Sequence, residues 1–267
     1  GSGERYNSAS SSFNAVHLGT GLWKSTDNGL TWDTLNSTSS GSPQSYNDWD
    51  KIWNVAVHPT DTVDMVFAIT PLALYKSVDG GNSWVQEITS TATGAYSYSD
   101  VIVTPNGVIY ATFSSDGNKK GIWRSVDGDN WVKILPASWP ATYNRIVAAC
   151  DPSDENNVYF LANTPGSGHQ TFNFQGDSEW NSFWKYTYVS GDGTGTGGQW
   201  DDRSANLPIG PYIFDDFNVQ GSYDMVVRVK PDDPNTVIIG GTNLYRSTDA
   251  FTSPGNTTQI GGYMEDT

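Results

Sequence analysis

The residues of this chain best placed to do chemistry are carboxylates and indoles that recur at a fixed spacing. Ser25-Thr26-Asp27-Asn28-Gly29-Leu30-Thr31-Trp32 and Ser77-Val78-Asp79-Gly80-Gly81-Asn82-Ser83-Trp84 share the pattern Ser-x-Asp-x-Gly-x-Thr/Ser-Trp. Ser125-Val126-Asp127-Gly128-Asp129-Asn130-Trp131 is one residue shorter. Further on, a glycine-rich stretch from Ser190 to Gly198 precedes Trp200 in its place, and near the end only Ser247-Thr248-Asp249 remains. A carboxylate so placed can act on a substrate, bind calcium or hold its own turn. The third role suits the pattern: a short Asp side chain accepts nearby backbone N–H groups, Gly takes the positive φ of a tight hairpin, and Trp packs between neighbouring units. A calcium loop would need more oxygen ligands at close spacing. Ser25, Asp27, Gly29, Trp32, Ser77, Asp79, Gly81, Trp84, Ser125, Asp127 and Trp131 are therefore expected to be architectural, and no metal or other cofactor is implied.

A second set of candidates lies between these motifs. The stretches 36–50, 90–100, 114–121, 136–144, 163–182 and 206–223 are long and aromatic, with Tyr46, Tyr96, Phe172, Phe174, Tyr212, Phe214 and Tyr223 among their rings and Asp48, Asp177, Glu179, Asp215 and Asp216 among their acids. Rings that stack on pyranose faces beside carboxylates that bond hydroxyls are what a sugar chain needs. Trp49, Tyr98, Trp139, Tyr143, Trp180 and Asp224 are the expected ligand contacts. The competing reading is that these aromatics pin long loops to the scaffold.

Catalytic residues do not stand out. Hydrolysis of a polysaccharide needs a protonated acid and a base across a cleft, and only Asp50 and Asp100, each just before an apolar run, are candidates by position. His17, His58 and His169 are too scattered for a metal or triad site, and the single cysteine, Cys150, excludes an internal disulfide.

The elements that must position these residues repeat as well. Leu22-Trp23-Lys24, Leu74-Tyr75-Lys76, Ile122-Trp123-Arg124, Phe183-Trp184-Lys185 and Leu244-Tyr245-Arg246 place their aromatics 52, 48, 61 and 61 residues apart. Each later copy follows two short apolar runs joined at a proline-bearing turn, such as Val55-Ala56-Val57-His58-Pro59 then Met65-Val66-Phe67-Ala68, and precedes a fourth run. No window shows a sustained 3.6-residue period, so helix should be nearly absent. A four-stranded meander of this size cannot bury both faces alone, and radial stacking of such units is a β-propeller. The blades are expected at 1–36 (partial), 50–89, 100–136, 144–208 and 223–262, in one all-β propeller region of 1–267.

The two full motifs resemble the Asp-box, or BNR, repeat family, which includes sialidases, xyloglucan-cleaving glycoside hydrolases and sortilin-type receptors. The resemblance implies a propeller whose box turns lie opposite the ligand-binding face. Sialidase activity would require an arginine triad, yet the chain has six arginines, and Arg124 and Arg246 occupy the repeated scaffold position. The opening Gly-Ser-Gly-Glu-Arg-Tyr-Asn, the first box and the terminal Gln-Ile-Gly-Gly-Tyr are similar to large secreted surface proteins of Bacteroidota, which implies an extracellular or cell-surface setting. Gly1-Ser2-Gly3-Glu4 aligns with Ile239-Gly240-Gly241-Thr242 at the end of a second strand, so the ring is expected to be part of a larger propeller.

Charge narrows the partners. The 29 acidic and 14 basic side chains give −15, and the only adjacent basic pair is Lys119-Lys120, which argues against nucleic acid and against an anionic membrane surface. No run approaches the roughly 18 to 20 apolar residues of a membrane span. The expected role is a binding or scaffold module for a polysaccharide or another surface protein, with a xyloglucanase-like hydrolase as the alternative.

Overall fold

A computed structural model describes residues 19–39, 47–59, 64–91, 98–173, 175–210 and 216–263. Within them the chain is strand and turn, with single 3-10 turns such as Asp48–Asp50 as its helical content. It divides into two compact units, Gly1–Lys120 with Ser125–Trp131, and Gly121–Arg124 with Val132–Thr267.

In the first unit, β1 (Trp23–Lys24) pairs antiparallel with β2 (Asp33–Thr34). Strands β3 (Asn54–Val57), β4 (Val66–Ile69), β5 (Ala73–Ser77) and β6 (Val85–Thr89) form a sheet in sequential order. Phe67, Ala68 and Ile69 are consecutive and all sealed from water, as is Leu74, so both faces of this sheet are covered there. Strands β7 (Ser99–Val103) and β8 (Ile109–Phe113) make the next hairpin, closed at Gly107, whose N–H reaches the carbonyl of Thr104. Strand β3 lies along β7, so successive sheets meet through their first strands. Leu22, Ile52 and Ala68 form an apolar cluster, with Leu35, Trp49, Val55 and Trp84 packed against it.

The second unit contains the hairpin of β9 (Gly121–Ser125) and β10 (Val132–Lys133). It continues with a sheet of β11 (Ile146–Cys150), β12 (Asn157–Asn163), β13 (His169–Phe172), β14 (Ser178–Tyr188) and β15 (Gly198–Asp202). Its last sheet holds β16 (Val226–Lys230), β17 (Asp233–Gly240), β18 (Leu244–Ser247) and β19 (Thr257–Gly261), in that order. Strand β11 lies along β16. Val147, Leu161, Phe183, Phe217, Val227, Ile239 and Phe251 belong to the core cluster of this unit.

Three of the sheets are four-stranded meanders, as the repeat predicts. The one built on β11 is larger. Strand β14 is 11 residues long; its first residues pair with β13 and its later ones with β15, while β12 holds its other edge. The long 163–182 stretch is thus a hairpin extension of the sheet, not an irregular loop. A β-bulge recurs at the same repeat position, between Leu74 and Tyr75 and between Leu244 and Tyr245.

The motif glycine Gly81 is fixed by space as well as by φ. A Cβ on Gly81 (φ +95) would sit 2.6 Å from Leu35 Cδ1, whereas one on Gly176 (φ +86) would meet nothing within 4 Å. Both substitutions incur the left-handed penalty of about 1–2 kcal/mol, and only the first adds a clash. Gly81→Ala should therefore lower the urea-unfolding free energy by more than Gly176→Ala, by about 1 kcal/mol or more. Equal losses would show that Leu35 yields without cost.

Candidate ligand-binding site

The repeated turns come first, because they hold most of the regularly spaced carboxylates. Asp27 Oδ1 accepts from Thr31 N–H at 2.9 Å and from Ser25 Oγ at 2.7 Å, while its Oδ2 accepts from the Thr31 hydroxyl at 2.6 Å. Ser25 Oγ in turn accepts from Gly29 N–H at 2.8 Å, and the Trp32 indole donates to the Gly29 carbonyl at 3.2 Å. The second turn repeats this: Asp79 accepts from Ser83 N–H, Ser83 Oγ and Ser77 Oγ. Hydrogen bonds from Thr31 and from Ser83, reinforced by the motif serines, bring both carboxyls from the ordinary 3.8 down to about 2. Asp127 compensates for the missing residue by accepting from Asp129 N–H, Asn130 N–H and the Asn130 side chain, and it too is held well below the usual range, chiefly by Asn130.

The last turn keeps more of the motif than its sequence suggests. Asp249 accepts from Ser247 Oγ, Ser253 Oγ and Asn256 Nδ2. Phe251 stands at the glycine position with φ +60, and its N–H reaches Ser247 Oγ at 2.8 Å. Packing substitutes for permissiveness there, since the Phe251 ring is fully buried edge-on against Phe183 at 5.1 Å. The motif tryptophans differ in burial. Trp84 packs on Trp49 and Trp131 on Phe67, whereas Trp32 remains 57% exposed.

The basic residue of each aromatic-basic pair also has a task, in that it reaches towards the turn of the following repeat. Lys24 Nζ donates to the Gly80 carbonyl at 3.2 Å. Lys76, nearly buried, pairs with Asp129 and with Glu87. Burial alone would lower its pKa, but the two carboxylates outweigh that and raise it. Arg124 lies 4.1 Å over the Tyr188 ring, at the glycine-rich substitute for the fourth turn. Lys185 does not continue the series; Arg203 does so instead, donating to the Ala250 carbonyl at 2.6 Å.

Among the loop residues, Asp50 and Asp100 are both buried. Asp50 accepts from Asn47 N–H in a capping box, and Asp100 accepts from Asn54 Nδ2 at 2.6 Å, joining β7 to β3. Asp48 accepts from the Tyr75 hydroxyl at 2.7 Å, and burial together with that bond pushes Tyr75 up to about 12. Tyr98, Trp139 and Tyr143 are buried. Tyr98 packs on Trp53, and Trp139 lies among Trp184, Trp200 and Tyr143, so these rings offer no open face for stacking. Trp49 is half-buried against Tyr75 at 4.4 Å, and Trp180 and Asp224 are also half-buried. Tyr46, Tyr96, Phe174, Tyr212, Phe214 and Asp215 lie outside the described residues.

One place in the second unit combines partly exposed rings with an organised acid. Glu179, buried on β14, accepts from Val219 N–H and Gly221 N–H at 2.6 Å each and so ties the 216–224 segment to the β13–β14 hairpin. Burial pushes its carboxyl up despite these bonds, and the Asp224 charge adds to the rise. Asp216 makes a second tie, accepting from Phe172 N–H and Gly210 N–H. On the segments thus joined, Phe172 is 42% exposed and Tyr223 41% exposed. Sequence reading places both among the loop rings without separating them from the buried ones, since exposure follows from the extra strand β13, which leaves no periodic trace. Among the described residues no group of three or more His, Cys, Asp or Glu is arranged to hold a metal.

Antiparallel meanders whose first strands pack on one another define a β-propeller, the architecture of glycoside hydrolases among its solved neighbours. The chain is homologous in part to xyloglucanases. Xyloglucanase Xgh74A of Acetivibrio thermocellus is 25% identical over 198 residues, which cover 64% of this chain and 23% of that protein. A Paenibacillus xyloglucanase is 28% identical over 141 residues, 44% of this chain and 13% of its own length. The GH74 enzyme of Niastella koreensis superimposes on 90% of this chain and 34% of its own with a TM-score of 0.57 at 18% identity. The chain thus spans less than a quarter of the xyloglucanases it matches. No protein-family profile matches it.

Two outcomes test the turns. The folded carboxyl of Asp79 titrates below its unfolded value, so its contribution is present above the ordinary 3.8 and is lost as pH falls towards about 2. Asp79→Asn should remove roughly one proton from the slope of unfolding free energy between about pH 4 and about pH 2; an unchanged slope would show that the carboxylate is not bonded as described. Lys76→Ala leaves Glu87, only 10% exposed, without its cation, and should cost about 3 kcal/mol in chemical denaturation. The double variant with Glu87→Gln should recover part of that loss.

Proposed function

We propose that this chain is a glycan-binding region of an extracellular β-propeller, with the β13–β14 hairpin and the 216–224 segment as its contact surface. The observation that carries the reading is the pair of partly exposed rings, Phe172 and Tyr223, on two segments locked together by Glu179. Aromatic faces beside hydroxyl-bonding groups suit a polysaccharide, and the partial homology with xyloglucanases names xyloglucan as the polymer to try first. Such a polymer is met outside the cell, which fits the proposed location. Binding is favoured over turnover because Asp48, Asp50 and Asp100 each already serve a local partner.

The hydrolase reading has one specific observation in its favour. Glu179 is a carboxyl raised by burial with Asp224 acting on it, the condition that keeps a general acid protonated. A single experiment separates the two readings. Isothermal titration with xyloglucan oligosaccharides should give saturable binding, weakened about tenfold by Phe172→Ala and by Tyr223→Ala, with no reducing ends released. Release of reducing ends that Glu179→Gln abolishes would establish the hydrolase instead. Unaltered binding by both ring variants would overturn the proposed surface.

A further inference from the structure

The joints between successive repeats share one pattern, of which one half lies open on the first repeat and the other half on the last. In each joint a turn and its ring seat on the repeat before. Trp84 packs on the Leu22 cluster beside Leu35 and donates to Ser37 Oγ at 3.2 Å. Trp131 lies edge-on to Phe67, Trp200 donates to the Ile134 carbonyl at 3.1 Å, and Phe251 packs on Phe183. The residue after the motif aspartate offers its carbonyl to a cation of the preceding repeat, as Gly80 does to Lys24 and Ala250 to Arg203. Both of these residues are left-handed, with φ of +68 and +53.

The first repeat has the seating half uncovered. On β1, Leu22 is buried and Lys24 half-buried against the second repeat, whereas Trp23 between them is 45% exposed. Its counterparts Tyr75, Trp184 and Tyr245 are all buried. Trp32 and Leu30 are exposed on the turn. Asn28, after Asp27, has the left-handed backbone of Gly80 and Ala250, with φ +59, and no side chain among the described residues donates to its carbonyl. The last sheet is open in the opposite sense. Tyr245 on β18 is buried, while Leu244 is 39% exposed and Arg246 is exposed, although their counterparts Leu74 and Lys76 are buried. Arg246 has no hydrogen-bond or ion-pair partner among the described residues. Ile260, at the bulge opposite Leu244 and Tyr245, is exposed beside them.

Each open half carries what the other lacks. Asn28 has a carbonyl and Arg246 a guanidinium; Trp32 has a ring, and Leu244 with Ile260 an apolar seat for it. We propose that the first turn of one copy of this chain docks on the Leu244–Arg246 face of a second copy, by the contacts that join its own repeats: Arg246 donates to the Asn28 carbonyl, and Trp32 covers Leu244 and Ile260. The two faces differ, so the contact is heterologous and can add copy to copy. The charge of −15 on every copy opposes it, which keeps the association weak and dependent on salt. None of the residues assigned to the glycan takes part.

Analytical ultracentrifugation of the 267-residue chain tests this. In about 0.15 M salt, where repulsion is screened beyond roughly 8 Å, the weight-average mass should rise above that of the monomer between about 1 μM and about 100 μM. Arg246→Glu and Trp32→Glu replace exposed side chains, and each should weaken association at least about tenfold, with circular dichroism unchanged. Leu30→Glu, on the same turn and almost fully exposed, repeats the second substitution without touching a motif residue. Mixing is the decisive arm. Each variant keeps the face that the other has lost, so Arg246→Glu mixed with Leu30→Glu or Trp32→Glu should form a dimer and nothing larger. A monomer at every concentration, an association that survives the substitutions, or a mixture that fails to pair overturns the proposal.

Discussion

The structure depends on a small electrostatic arrangement repeated along the chain: an aspartate that spends its oxygens inside its own turn, and a cation from the preceding repeat that reaches for that turn. A single hairpin of this size is marginal in water. When Asp79 gathers Ser77, Ser83 and the Ser83 N–H, the turn acquires a fixed shape, and Lys24 then has a definite carbonyl, that of Gly80, to bond. The same logic joins Lys76 to Asp129 and Arg203 to Ala250. Neighbouring sheets are in this way joined by polar contacts at their turns, while apolar clusters fill the space along their strands.

The stretches between the sheets are used unequally. In the first unit they are tied in by their own acids: Asp50 caps the 3-10 turn that follows Asn47, and Asp100 joins two sheets through Asn54. In the second, β14 runs beyond its sheet partners and carries a hairpin with it. Exposed Phe172 belongs to that extension, and exposed Tyr223 to the 216–224 segment that Glu179 bonds to it.

The repeat was legible because its chemistry is local. Apolar-aromatic-basic triplets followed by Ser-x-Asp turns identify strands, hairpins and stacking partners without reference to anything distant in sequence. The cation's partner was not legible, since Lys24 and Gly80 are 56 residues apart and only folding makes them neighbours. The candidate site was harder still. Trp139 and Phe172 are both aromatics in long polar stretches, yet Trp139 is sealed beneath Trp184 and Trp200 while Phe172 faces solvent. Nothing in local pattern separates them, because burial in a loop is decided by what the rest of the chain lays on top. The last turn misleads for a similar reason: Phe251 in place of glycine reads as a lost motif, although the oxygens of Ser247 and Asp249 are bonded as in the intact copies.

That phenylalanine also bears on how the chain acquires its shape. Turns with glycine at this point can close early and alone, since the left-handed conformation costs them little. The turn at Phe251 has no such freedom, because its conformation is unfavourable until the ring is inserted beside Phe183. Its closed form therefore draws on the adjoining sheet, and the stability of the last repeat is tied to that of its neighbour.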